Sequence, residues 1–363
     1  MIIIIEPSTK KVLFRAFGAK NISTHEWKFE RDINAGSQAE HLKELVRRLA
    51  GDEPIEAFSF HLQFGGDRYK EPAIITEKFI EQLSRRAGDF PLYIPSTCLI
   101  LRLFLRELKD VPQFAFFETS FFSGLPASET HYPIANKYYQ DSSVMKQGYH
   151  GILHGEHARL FADKESVISI VLDRQTTVCA INKGSPIAVS LGYTPLEGIM
   201  STKSCGDIDP GIIIYLMKDQ GLSMYKVDEL LKNKSGFYGM TGFDLPMNEL
   251  ITLYGKDEKV TLAFDVYRNQ ILKYIGDYMS LLNGLDAVVF SGCYAGNLSQ
   301  IIYKIAKEMS FLGINLDELP WDNGKDVLRI TSGRSKRHFY INPLDETDIM
   351  CRETQKRLQK TLM

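Results

Sequence analysis

At 363 residues the chain exceeds the roughly 250–300 at which a single core stops growing, so two domains are expected. With 44% apolar and 24% charged residues it has the composition of a globular protein. A net charge of -2 argues against nucleic acid as a partner, because nucleic-acid binders concentrate basic residues on one face.

In chain order, IIIIEPSTKKVLFRAFG (Ile2–Gly18) reads as strand, polar turn, strand, with a third strand around Trp27–Glu30. Helices at Ala39–Leu49, Thr76–Arg86 and Cys98–Glu107 then alternate with the buried strands AFSFHL (Ala57–Leu62) and FAFFET (Phe114–Thr119). VISIVLDRQTTVCAINKG (Val167–Gly184) repeats the opening pattern. Each copy is a β-branched run ending in an acid, Glu6 or Asp173, and each resumes as a strand after a polar turn; a third strand follows the second copy at Ile187–Ser190. Helices at Lys226–Leu231, Val260–Leu282 and Leu298–Ser310, the strand DAVVFSG (Asp286–Gly292), the pair VLRIT and RHFYIN, and a last helix from Thr347 to Leu358 complete the second half. Two meanders, each followed by helices and buried strands, predict an α/β protein of two duplicated lobes with a ligand cleft between them.

The basic run GRSKRHF (Gly333–Phe339) is short and reads as a solvated hairpin turn. No apolar run approaches the roughly 20 residues of a membrane span, and MIIIIEPS is too short in apolar residues for a signal sequence. Cys98, Cys179, Cys205, Cys293 and Cys351 are odd in number and widely spaced among apolar neighbours. They read as reduced thiols, and a cytoplasmic location is expected.

The stretch GYTPLEGIMSTKSCGDIDPGI (Gly192–Ile212), dense in glycine, proline and acid, is over-specified for ordinary core. It resembles the GFTPLEG…TRSGDIDPAI segment of acetate kinase, a family of the sugar kinase/actin/chaperone-ATPase fold. QGYHGILH (Gln147–His154) resembles that family's YGFHGTSH, FGGDRYKEPAIIT (Phe64–Thr76) its HGGEKFTEPVLIT, and KNKSGFYGMTG its NKKSGLLGISG. FPLYIPS, FFETSF, RNQILKYIGDY, VVFSGCYAGN and ETDIMCRET match further blocks in order, so the resemblance spans almost the whole chain.

The resemblance implies an actin-like ATPase fold and phosphoryl transfer from ATP, with Mg2+, to acetate or a related short acid, giving an acyl phosphate. It implies lobes at residues 1–119 with 346–363 and at 120–345, the latter holding the nucleotide side and the interface of a homodimer. The retained YIGDY helix belongs to that second lobe. The family's catalytic histidine falls on His150 and its catalytic aspartate on Glu118, one methylene longer. One family arginine falls on Ser204, leaving Lys203 one position earlier either as a replacement cation or as an exposed loop lysine; the other falls on His61. The acidic pair associated with Mg2+ falls on Glu346, the implied metal ligand, and a strand-end asparagine falls on Glu6.

The acetate pocket maps onto Leu92, Tyr93, Tyr149 and Pro195, with Gln63 replacing a valine, so a more polar acid than acetate is expected. On the nucleotide side, VLDRQ replaces a glycine turn with Asp173 and Gln175, and Pro246, Met247 and Asn248 stand at the adenine contacts. CYAGN keeps Gly292, Gly296 and Asn297 around Ala295, which takes a phosphate-loop glycine's place. Weakened nucleotide binding is expected, because a Cβ blocks backbone approach to phosphate.

His150, His154 and His157, four and three residues apart, offer either a metal site on one helical face or a phosphate-cleft histidine with structural neighbours. The glycines Gly151 and Gly155 weaken that helix, which favours the second reading. Two functions stay open: an active carboxylate kinase, or a catalytically degenerate relative that senses a ligand or binds a protein. The cation inventory separates them, since losing two guanidiniums removes bidentate clamps that lysine or histidine cannot replace.

Overall fold

Three antiparallel strands, β1 (Ile2–Pro7), β2 (Lys11–Phe17) and β3 (Ile22–Lys28), open the fold of the computed structural model. The structure describes residues 1–8, 11–18, 22–28, 35–65, 69–86, 93–142, 144–317 and 327–361. β4 (Ala57–Leu62) and β6 (Gln113–Phe117) run parallel to β1, and β5 (Ala73–Ile74) is antiparallel to β6, giving the sheet order β3-β2-β1-β4-β6-β5. Strand alternation sorts the two faces. Ile3, Ile5, Val12, Phe14, Phe58, Phe60 and Leu62 point into one apolar core with residues of α1 (Ala35–Ala50), α2 (Glu77–Ser84) and α3 (Ile94–Glu107). The opposite face is left to Glu6, Ser59, His61 and their neighbours.

The second sheet repeats this plan. β7 (Ser166–Val171), β8 (Thr177–Asn182) and β9 (Ser185–Val189) form its meander. β10 (Ala287–Ser291) and β12 (His338–Ile341) run parallel to β7, and β11 (Leu328–Arg329) is antiparallel to β12. The order β11-β12-β10-β7-β8-β9 is the first sheet's order with each strand replaced by its later counterpart, so the duplication is structural. Helices of this half are α4 (Ala127–Thr130), α5 (Lys137–Ser142), α6 (Gly151–Leu160), α7 (Pro210–Lys218), α8 (Met224–Asn233), α9 (Gly236–Thr241), α10 (Met247–Leu250), α11 (Glu258–Leu281) and α12 (Ser299–Glu308). α11 is the spine of the core, with Val260, Phe264, Tyr267, Ile271 and Ile275 buried at helical spacing.

The last helix, α13 (Glu346–Thr361), belongs to the first sheet. The chain divides into Met1–Ser123 with Glu346–Met363 and Gly124–Asp345. The first unit extends to residue 123 because Ser120 Oγ donates to Phe117 O at 2.9 Å and Phe122 is buried.

Several elements differ from the sequence expectation. β3 starts at Ile22, since its whole length pairs with β2 from Phe17–Ile22 to Lys11–Lys28. α3 starts at Ile94, because Pro95 is tolerated in a first helical turn. α6 forms in spite of Gly151 and Gly155, and α7 forms where the sequence reading assigned no element. Among the described residues no helix is long and apolar enough to cross a membrane, and the five cysteines are free.

Candidate active site

His61 lies opposite Phe116 in the β4–β6 pair, and the Glu118 N–H donates to Leu62 O at 3.0 Å. Alternation therefore puts Glu118 on the same face as His61. α13 packs on β1 and β4, anchored by a 2.6 Å hydrogen bond between the Thr354 and Ser59 hydroxyls, and delivers Glu346 from its first turn. His61 Nε2 hydrogen-bonds Glu118 Oε1 and lies 3.6 Å from Glu346 Oε2. Glu118 is fully buried, and its Oε2 has no hydrogen-bond partner among the described residues.

Burial alone would lower the His61 pKa. The charge and hydrogen bond of Glu118, with the charges of Glu346 and Glu6, reverse this and hold the ring up to about 10. A positive charge thus remains where the resemblance places an arginine, on a ring without a guanidinium fork. Glu6, Arg15, Thr24, His61 and Thr347 line a recess of about 200 Å³, where Arg15 donates to Thr347 Oγ1 at 2.6 Å. The Gln63 N–H donates to the buried Tyr93 hydroxyl at 2.9 Å, and burial raises that phenol's pKa. Leu92 lies outside the described residues.

Mg2+ takes near-octahedral oxygen ligands at about 2.0–2.1 Å. Here the atoms converging with Glu346 are a carboxylate and an imidazole nitrogen, all within 4.8 Å of one another. An imidazole at the centre of the donor set does not fit Mg2+.

In the second unit, His150 precedes α6 in left-handed backbone, with φ 58 and ψ 31. That conformation is costly for a non-glycine residue and is held by its surroundings. His150 Nδ1 and His154 Nε2 each lie 2.9 Å from Thr177 Oγ1, and His154 Nδ1 and His157 Nδ1 each lie 2.6 Å from Ser169 Oγ. His157 Nε2 is buried without a partner among the described residues. Burial drives His154 well below the ordinary histidine value and His157 down to about 4, so both are neutral.

A hydroxyl that spends its one proton on one ring accepts from the other, and with both hydroxyls so engaged the whole chain has one polarity. An orphaned buried N–H is worse tolerated than an orphaned acceptor. The favoured polarity therefore leaves His157 Nε2 bare. His157 Nδ1 then donates to Ser169, Ser169 to His154 Nδ1, His154 Nε2 to Thr177, and Thr177 to His150 Nδ1. His150 consequently carries its proton on Nε2, as a hydrogen-bond donor to an anionic oxygen requires. This trio is bridged by hydroxyls, and among the described residues it forms no metal-ligand group, contrary to its metal reading.

The linkage sign for His157 is that of a depressed base. Its neutral form stabilises the fold above the unfolded value of 6.5, and that stability is lost as pH falls through about 4. Over this window the loss is roughly 3 kcal/mol, at 1.36 kcal/mol per pKa unit. His157→Asn, whose amide sits where Nδ1 did, should flatten this acid limb in urea titrations between pH 6.5 and 4. An unchanged acid limb would exclude His157 as its source.

The constrained loop holds itself and α11 together. Asp207 accepts from the Gly198 N–H at 2.7 Å and from the Tyr274 hydroxyl at 2.5 Å, and Gln270 Oε1 accepts from the Met200 N–H at 2.9 Å. Gly206 has φ +68, and a Cβ there would lie 2.4 Å from Met200 N. Ser204, at the arginine position, is buried and donates to Gln175 Oε1 at 3.2 Å, with its hydroxyl 2.7 Å from that of Ser201. Lys203 points outward and pairs with Asp244 at 2.8 Å, so its charge is already matched. Pro195 is exposed, whereas the Tyr149 ring stands edge-on to His150 at 4.8 Å.

Gly292 lets two strand ends meet, since a Cβ there would lie 2.6 Å from Leu172 O. Ala295 is buried in the core, leaving Gly296 and Asn297 at the edge of the turn before α12; Met247 is likewise core, behind Pro246. Asp173 Oδ1 accepts from the Arg174 N–H at 2.6 Å, and Gln175 Nε2 is buried without a partner among the described residues. The sequence reading overlooked Arg15, Ser169 and Thr177. Each had a signal: a charge in the outward period of β2, and lone hydroxyls within the apolar runs VISIV and TVCAI.

The profile of the Acetokinase family matches residues 13–352. The chain belongs to the acetokinase family. Acetate kinase of Halothermothrix orenii is 30% identical over 84% of this chain and 78% of its own length. Crystal structures share the fold: Porphyromonas gingivalis acetate kinase has a TM-score of 0.86 at 22% identity, covering 98% of each chain. A propionate kinase from Francisella tularensis has a TM-score of 0.83 at 23% identity, covering 97% of this chain and 98% of that one. Acetokinase membership thus supports a carboxylate kinase function at the level of the family.

Proposed function

We propose that this protein transfers a phosphoryl group from ATP to a short carboxylic acid, giving an acyl phosphate, at a rate well below that of an arginine-equipped site. The observation that carries the reading is the Thr177–His154–Ser169–His157 chain behind His150, which supports a proton on His150 Nε2. Phosphoryl transfer runs on positioning and on donors aimed at the equatorial oxygens, and a preset N–H costs no reorganisation. The nucleotide would meet Asp173, Gln175, Gly292, Gly296 and Asn297. With Ser204 and Lys203 engaged elsewhere, no guanidinium at the family's positions neutralises its phosphates, and a loss on the order of a hundredfold per missing donor follows.

In the first unit, Gln63 brings an amide to a position that a valine holds in the family's apolar acetate pocket. An amide in place of an apolar side chain gives a hydroxy or amide acid a hydrogen-bonding partner, so such an acid should be preferred over acetate. Hydroxylamine trapping of acyl phosphate across a panel of short acids tests this. Preference for lactate- or glycolate-like acids is expected, and preference for acetate or propionate would refute the polar pocket.

A non-catalytic, ligand-sensing role is the second reading, favoured by the Gln175–Ser204–Ser201 contacts that fill the arginine position with neutral groups. Homodimer formation is also proposed. α7 buries none of its residues, and Ile212, Ile214, Tyr215 and Met217 are exposed along it, whereas Ile275 and Tyr278 of the YIGDY segment are core. Light scattering at micromolar concentration should give twice the chain mass, and Ile214→Asp should give the chain mass. A monomeric wild type would contradict the proposal.

A further inference from the structure

The first unit's cluster has the wrong chemistry for the family's magnesium and the right chemistry for a different ion. We propose that His61, Glu118 and Glu346 form a binding site for a first-row divalent transition ion, of the Zn2+ or Co2+ class, in preference to Mg2+. Three observations converge. The His61 Nε2 and one oxygen from each glutamate lie within 4.8 Å of one another. Ligands bound at ~2.0–2.1 Å in a tetrahedron stand roughly 3.3 Å apart, so small side-chain shifts would seat an ion. The His61–Glu346 separation is already 3.6 Å.

Glu118 supplies the second observation. It is fully buried, and its Oε2 has no hydrogen-bond partner among the described residues. A buried carboxylate oxygen without a donor is costly, and metal ligation is one of the few ways to satisfy it. Charge is the third. Glu6, Glu118 and Glu346 surround one imidazole, with Arg15 on the adjoining recess that opens beside Glu6 and His61. A divalent ion would balance the excess of carboxylates, and the recess gives it a path to His61.

Imidazole favours Zn2+ and the other late first-row ions over Mg2+, whose affinity rests on carboxylate and water oxygens. Binding would displace the proton from His61 Nε2 to solvent. No redox step is involved, and the inference stands independently of the proposed phosphotransfer, because it concerns binding to the protein without nucleotide or acid.

The test is titration of chelator-stripped full-length protein with Zn2+ and with Mg2+ by calorimetry, and with Co2+ by visible absorption. X-ray absorption at the zinc edge would read the ligand atoms. The expected result is one equivalent of Zn2+ bound at least ~100-fold tighter than Mg2+, in a shell of nitrogen and oxygen without sulfur. His61→Ala and the isosteric Glu118→Gln should each weaken Zn2+ binding by on the order of 100-fold, with circular dichroism confirming the fold. No Zn2+ binding, Zn2+ affinity equal to Mg2+ affinity, a sulfur-containing shell, or unchanged affinity in a folded Glu118→Gln protein would overturn the site.

Discussion

Glu118→Leu is expected to destabilise the metal-free protein by about 3–5 kcal/mol at pH 6, the usual cost of removing one partner from a buried ion pair. Glu118 is fully buried, and the His61 side chain is 10% exposed. Removing the carboxylate leaves the imidazolium facing Glu346 at 3.6 Å without its hydrogen-bonded partner. The double variant His61→Leu/Glu118→Leu should recover most of the loss, because a desolvated pair returns little net stability over apolar residues of similar size.

The pH dependence follows from the same pair. The folded pKa of His61 is raised from 6.5 to about 10, so its contribution is complete below pH 6.5. It declines as pH rises from 6.5, where the unfolded state gives up its proton first, and is gone above about 10. Urea titrations at pH 6, 8 and 10 should show this alkaline limb in wild type and lack it in His61→Leu. Identical slopes in the two proteins would mean that His61 is not charged in the folded state.

His150→Asn is expected to lower the rate of acyl phosphate formation by roughly 10²–10³ with little change in stability, the cost of one lost transition-state donor. Asparagine tolerates the left-handed backbone at this position and can keep a contact with Thr177 Oγ1, so the variant removes Nε2 and little else. Thr177→Val interrupts the hydroxyl chain without touching the His150 ring. It should lower kcat several-fold to about tenfold at unchanged KM, since His150 would then share its proton between two nitrogens. A structural role alone would move stability and leave kcat intact. Thr177→Ser, which restores the hydroxyl, should restore the rate.

Much of the fold could be read in advance because its signals are local. The alternation of AFSFHL placed Phe58, Phe60 and Leu62 in the core and His61 on the other face, and the two meanders announced the duplication that the sheet orders confirm. The contact of His61 with Glu118 and Glu346 was not legible. These residues are far apart in sequence, and only parallel pairing of β4 with β6 and the return of α13 bring them together. The helix α6 was read as weakened because its glycines argue against a helix in isolation, whereas buried His154 and His157 hold it to β7 and β8. α7 escaped because PGIIIYLMK is apolar on all sides and shows no amphipathic period.

The most direct test of carboxylate phosphotransfer is 31P NMR of the protein with ATP and a short hydroxy acid, run with Mg2+ and separately with Mn2+. A new acyl phosphate resonance that grows with protein concentration in wild type and is lost in folded His150→Asn is the predicted result. Consumption of no ATP with any acid and either ion, or equal product from wild type and His150→Asn, would contradict the account.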